Sequence, residues 1–233
     1  SEFEVSRGAI GITLTGMWIA YALSQLPSGV FADRFGEYRI VLFSLLTTGI
    51  ASLALAGSPT FLLFGVGVIV LGVGAGIYYN PATALLSREF SQLGKAIGSH
   101  RMGGQIAGVI APIVAAGLVV RFGWRSPIII GAIVTIGAIV VFGWINEPHP
   151  PTRPGASLRE LFGPTELFRL LRRPHTRFTT YLATLVEFVG LAAMAFIPIM
   201  LIAHIGFSTR IANLLFAVFY SVAAISQPVG GWL

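Results

Sequence analysis

Forty-eight consecutive residues, Ile40 to Ser87, contain no charged side chain. About 20 apolar residues in a helix cross the ~30 Å hydrocarbon core of a bilayer, so this run is too long for one crossing and too apolar for water. Gly57-Ser58-Pro59-Thr60 divides it in two, because proline and glycine stop helices and favour turns. Five further runs have the same character: Gly8 to Ala32, Met102 to Val120, Ser126 to Asn146, Phe178 to Thr209 and Ile211 to Leu233. The fourth of these carries one charge, Glu187, and loses its apolar character near His204. Seven spans are therefore predicted. Barrel strands are excluded, since these runs far exceed the 9–11 residues of such a strand and lack its alternation.

Composition agrees: 55% of the 233 residues are hydrophobic and 10% are charged, against roughly 25% charged in soluble domains. Mean hydropathy is +0.83. The net charge of +6 rests on arginines, with Lys95 the one lysine. These bases sit in short gaps between apolar runs, the pattern of loops flanking membrane spans and not of a nucleic-acid groove. Cysteine is absent, which removes disulfides, thiolate metal sites and cysteine nucleophiles. No signal peptide is visible. The chain opens at Ser1 without Met, and its start is read as not the native one.

If the Asp33–Arg39 loop is cytoplasmic and the spans alternate, the inner side collects Arg34, Arg39, Arg88, Lys95, Arg101 and the six arginines from 153 to 177. Arg7, Arg121, Arg125 and Arg210 fall outside, so the bias obeys the positive-inside rule. Asn146 to Arg177 differs from the rest, with six of the thirteen prolines, six arginines and three glutamates. Ser157-Leu158-Arg159-Glu160 fits a capping box, and Leu161, Phe162, Leu167, Phe168 and Leu171 supply an apolar face. Short amphipathic helices at the inner surface are expected there. The predicted organisation is an N-terminal bundle over 1–146, a cytoplasmic linker over 147–177 and the start of a second bundle over 178–233.

An internal echo supports two bundles. Ser24-Gln25-Leu26-Pro27-Ser28-Gly29-Val30-Phe31 closes the first span, and Ser226-Gln227-Pro228-Val229-Gly230-Gly231-Trp232-Leu233 closes the last. Gly29-Val30-Phe31-Ala32-Asp33-Arg34-Phe35-Gly36 resembles the loop signature of the major facilitator superfamily, Gly-x-Leu-Ala-Asp-Arg-x-Gly. The resemblance covers the whole chain, with the spans matching helices 2 to 8 of twelve and Asn146–Arg177 the central loop. It implies an all-α integral membrane, two-bundle helical fold that is incomplete here. Helix 1 and the helices after helix 8 are expected as the missing remainder of the same chain. Gly123-Trp124-Arg125 before the sixth helix is also a common family feature.

The signature loop offers a gating group: Gly29, Asp33, Arg34, Gly36 and Arg39. Gly29 would let two helices approach closely, Asp33 would accept bonds from a neighbouring helix start, and Arg34 and Arg39 would pair with carboxylates or lipid phosphates. In the family the aspartate engages the second half. After Gly36 the family position is usually Arg but here is Glu37, and Tyr38 replaces a common base, which points to a network rewired through Arg39. The alternative is a solvated loop that only sets topology. Gly72-x-Gly74-x-Gly76 resembles the family's helix 4 glycine pattern, with Val68 where an intramembrane Arg is expected. Ala111-Pro112 with Ala115-Ala116 resembles the helix 5 antiporter motif with alanines for its glycines, which weakens proton-driven drug export.

Glu187, ten residues into its run, is the main candidate for substrate or proton coupling, because a carboxylate at that depth is costly unless paired, neutralised or facing a cavity. The alternative is a protonated Glu bonded between helices. Polar stripes add Trp18, Tyr21 and Gln25; Arg101, Gln105 and Gly108; Asn213, Tyr220 and Gln227; and Thr184 with Glu187 and Met194. They would line an aqueous path, or hydrogen-bond helix to helix. Tyr78-Tyr79-Asn80-Pro81 is a further pocket candidate, Arg101 is read as interfacial, and His100 and His204 as surface residues.

No glycine-rich phosphate loop, metal-ligand spacing or nucleophile–base pair is present, so no enzyme, metal or cofactor is expected. The expected function is secondary active transport of a small organic solute or ion by alternating access, driven by a proton gradient or by substrate exchange, with the lipid bilayer and protons as further partners, no nucleic acid, and a multi-pass place in the cell membrane. The alternative is an integral-membrane enzyme or sensor that keeps the fold without transport.

Overall fold

The computed structural model describes residues 3, 5–155, 157, 169 and 172–232. Seven helices among them are long and apolar enough to cross a membrane: α1 (Arg7–Phe35), α2 (Glu37–Ala56), α3 (Phe61–Glu89), α4 (Leu93–Phe122), α5 (Arg125–Ile145), α6 (Pro174–Ala203) and α7 (Thr209–Trp232). The expected linker helices, with Leu158, Arg159, Glu160, Leu161, Phe162, Leu167, Phe168 and Leu171, lie outside the described residues.

The helices overrun the apolar runs that announced them. The expected Asp33–Arg39 loop contracts to one residue, Gly36, whose φ of 92° reverses the chain between α1 and α2. That left-handed backbone is strained for any side chain, so the glycine is what permits so short a turn. α4 starts at Leu93 instead of near Met102, taking Lys95 and Arg101 into the helix. Charge is tolerated there because it lies in the first turns, where long basic side chains reach the interface.

Contacts divide the chain into two compact units, Ser1–Leu93 with Pro112–Leu158, and Gly94–Ala111 with Arg159–Leu233. In the first, α3 packs on both α1 and α2, and α2 also packs on α5. Without a hydrophobic force between helices in lipid, close backbone approach must hold such a bundle. On α3 the glycines split between two faces. A Cβ at Gly72 or Gly76 would strike the α1 backbone at Met17 or Tyr21. A Cβ at Gly67 would lie 2.9 Å from Leu55, and one at Gly74 2.8 Å from the Thr48 hydroxyl, both on α2. The Gly74 carbonyl, reachable because it carries no side chain, accepts a 2.7 Å bond from buried Ser44.

At the opposite end of α2, Arg125 donates through Nε to the Ala56 carbonyl (2.9 Å) and through Nη2 to that of Ser58 (3.1 Å). A cation at a helix C-terminus satisfies orphan carbonyls and complements the dipole. Trp124 lies under the guanidinium at 4.5 Å and packs edge-on against Phe64.

The expected close approach at Gly29 is absent among the described residues: none of their atoms lies within 4 Å of a Cβ built there. The α1–α3 crossing is instead made by the glycines of α3, so α1 needs no notch of its own. Gly76→Ala should therefore cost about 1–3 kcal/mol by overpacking, while Gly29→Ala should be neutral or slightly stabilising. Thermal unfolding of the two variants in detergent, compared with the parent, separates these outcomes.

Candidate functional site

The signature loop is built around a buried carboxylate. Glu37, the first residue of α2, is 3% exposed, and its Oε1 lies 3.2 Å from a guanidinium nitrogen of Arg88 at the end of α3. Its Oε2 is buried with no hydrogen-bond partner among the described residues. Arg39 is exposed and has no ion-pair partner among them, so the loop's charge is balanced through Arg88 and not through Arg39. The reason is reach: Arg39 lies two residues on from Glu37 and faces outward, whereas Arg88 arrives from the neighbouring helix. Arg34 stacks on Phe35 at 5.3 Å. Half-buried Asp33 uses its backbone carbonyl to accept the Arg153 N–H at 2.7 Å.

Within the same unit, the Asn80 side chain is brought to the backbone of Gln25. The Asn80 amide donates to the Gln25 carbonyl (2.6 Å) and to the buried Ser28 hydroxyl (3.1 Å), tying α3 to α1. Pro81 beside it is fully buried, so the Tyr78–Pro81 stretch serves the helix crossing. Trp18 and Tyr21 meet edge-to-face at 5.6 Å. A separate cavity of about 460 Å³ lies between α1, α2, α3 and α5, lined by residues including Met17, Leu55, Phe64, Val68 and Ile128. Its two hydroxyls, Thr13 and Ser52, already bond to their own helices, leaving an apolar wall.

In the second unit, the start of α4 crosses α7 at backbone distance. A Cβ on Gly94 would lie 2.6 Å from the Gly231 carbonyl, and one on Gly98 2.5 Å from that of Gln227. Lys95 closes the same end by lying 4.5 Å over the Trp232 ring. Three residues past Gln105, Gly108 makes room for the Tyr220 ring, which a Cβ would meet at 2.5 Å. Tyr220 also packs edge-on against Phe216 and Phe219. The Gln105 Oε1 is buried without a hydrogen-bond partner among the described residues. Glu187 is exposed on α6 and has no ion-pair partner among them. It stands about 20 Å from one end of that 30-residue helix and about 24 Å from the other. Thr184 bonds back to Thr180, and the side chains of Met194 and Asn213 lie outside the described residues.

Sequence reading did not find the Glu37–Arg88 pair, the Lys95–Trp232 contact or the glycine seam of α4. The one available signal was Gly94 and Gly98 at a spacing of four, which places both on one helix face.

Seven membrane-length helices define a multi-pass α-helical membrane protein. The chain belongs to the Major Facilitator Superfamily, whose family model matches residues 1–233. Among its relatives, a "Multidrug resistance protein B homolog" of Mycobacterium tuberculosis (strain CDC 1551 / Oshkosh) is 31% identical over 130 residues, 54% of this chain and 24% of that protein. "Multidrug resistance protein MdtL" of Shewanella sp. (strain ANA-3) is 37% identical over 120 residues, 51% of this chain and 29% of the relative. A "Cis,cis-muconate transport protein" of Acinetobacter baylyi (strain ATCC 33305 / BD413 / ADP1) is 29% identical over 131 residues, 54% and 31% respectively. The matched stretch thus spans between about a quarter and a third of these relatives' length.

The buried pair yields a direct expectation. Arg88→Ala should destabilise the protein by about 2 kcal/mol, below the ~3–5 kcal/mol of a fully buried pair because Arg88 reaches water. Adding Glu37→Gln should recover part of the loss by removing the stranded charge. Urea or thermal unfolding of the single and double variants measures both effects.

Proposed function

We propose that this chain is part of a secondary active transporter, not an enzyme, that moves a small organic solute or ion across the cell membrane by alternating access. The observation that carries the reading is the α4–α7 seam. At Gly94, Gly98 and Gly231 backbone meets backbone, so at these turns the two helices can part and meet again with few side chains to unlock. Above it, Gln105 holds a buried acceptor without a donor among the described residues, a group a solute could satisfy. Family membership and relatives named for multidrug resistance and muconate transport support a small organic cargo.

Glu187 supplies the coupling. A carboxylate in the middle of a membrane-length helix is costly in hydrocarbon, so residues of this kind face a cavity or a partner and mark ion or proton paths. A proton bound there on one side of the membrane and released on the other links solute movement to the gradient. Asp33, Arg34, Gly36 and Arg39, with Glu37 and Arg88, form the loop that steadies one end of the cycle.

The full-length protein in proteoliposomes, challenged with ethidium or muconate under an imposed pH gradient, should move one of them and acidify or alkalinise the lumen, read with a trapped pH dye. Glu187→Gln should abolish the dependence on pH, and transport by this variant that tracks pH as the parent does removes Glu187 from the mechanism. Gly98→Leu, which obstructs the seam, should lower the rate by about tenfold or more. Flux unaffected by a leucine there overturns the assignment of the seam.

A further inference from the structure

The residues that follow α5 do not leave the first unit freely. Arg88 donates through Nη1 to the Pro150 carbonyl at 3.3 Å and through Nη2 to the Thr152 hydroxyl, while also holding Glu37. One residue on, Glu89 pairs with His149, Oε1 to Nε2 at 3.3 Å. The Arg153 N–H donates to the Asp33 carbonyl at 2.7 Å. The His149 carbonyl stands 3.3 Å from where a Cβ on Gly36 would be. Four bonds from the ends of α1 and α3 therefore converge on the five-residue stretch 149–153.

We propose that Arg88 is a positioning residue that straps residues 149–153 onto the ends of α1, α2 and α3, so that this stretch moves as part of the first unit. The strap and the loop share one guanidinium. Glu37 fixes Arg88 through Nη2 from the α2 side, and the fixed Arg88 presents Nη1 to Pro150 and the same Nη2 to Thr152. An exposed arginine would hold such acceptors weakly, because ordering its long side chain opposes the gain. Here the buried carboxylate has already ordered it. The inference does not depend on what the protein transports.

The sequence supplies a sharp probe. Pro148, Pro150, Pro151 and Pro154 have no amide hydrogen, so residues 148–154 report exchange only at His149, Thr152 and Arg153. In the full-length protein in lipid nanodiscs, one of these three amides should exchange at least about tenfold more slowly than the other two. Combining Glu37→Arg with Arg88→Glu keeps an ion pair between α2 and α3, but a carboxylate at 88 cannot donate to the Pro150 carbonyl. In that variant the slow amide should become fast while α2 and α3 stay protected. A fast Arg153 amide in the parent, or a slow one in the charge-reversed protein, overturns the proposal. Should the reversal loosen α2 or α3 themselves, Thr152→Val decides, because it removes one acceptor and leaves the helices intact. Exchange at Arg153 raised about threefold or more supports the strap, and unchanged exchange refutes it.

Discussion

In hydrocarbon, lipid tails are as apolar as leucine, so nothing pulls one apolar helix to another except contact itself. The first unit meets this constraint on α3. With hydrogen in place of side chains at Gly72 and Gly76 on one face and Gly67 and Gly74 on another, two neighbours come within backbone reach. Polar groups then become useful where they would otherwise be costly. Ser44 reaches the Gly74 carbonyl and Asn80 reaches α1 only because the helices are already close. Removing the glycines would therefore disable the hydrogen bonds as well as the packing.

Charge is handled at the ends of the same helices. Arg125 closes the carbonyl end of α2, and Arg88 neutralises Glu37 at its amino end. Both arginines come from other elements, so α2 is held at two ends by partners distant in sequence. The negative charge of Glu37 also sits in the first turn of α2, where the helix dipole favours it. A glutamate in place of the usual basic residue is thus accommodated twice over, by the dipole and by Arg88.

The architecture was largely legible because span length and loop charge are one-dimensional signals. Charge-free runs and the Gly57–Thr60 break located all seven helices, and the Gly29–Gly36 octapeptide carried the family. Pairings across distance were not legible. Nothing local links Glu37 to Arg88, fifty-one residues on, and proximity in sequence made Arg39 the more obvious partner. The glycine pattern misled differently. Gly72, Gly74 and Gly76 read as one motif, yet successive alternate positions on a helix differ by about 200°, so the middle one faces another neighbour. Gly29, noticed because it opens the signature, meets nothing among the described residues, while Gly94 and Gly98, outside any signature, sit against the α7 backbone.

The stretch after α5 has one further consequence, which is thermodynamic. Prolines at 148, 150, 151 and 154 fix φ in four of seven residues. An ordinary chain loses about 1–2 kcal/mol per residue of backbone freedom on being ordered, but this one has lost much of it in its covalent structure before any contact forms. A handful of modest bonds can then hold it, and what lies on the far side receives a stiff lead instead of a slack one. Such a segment transmits displacement of the helix ends, where a glycine- or serine-rich connection of the same length would absorb it.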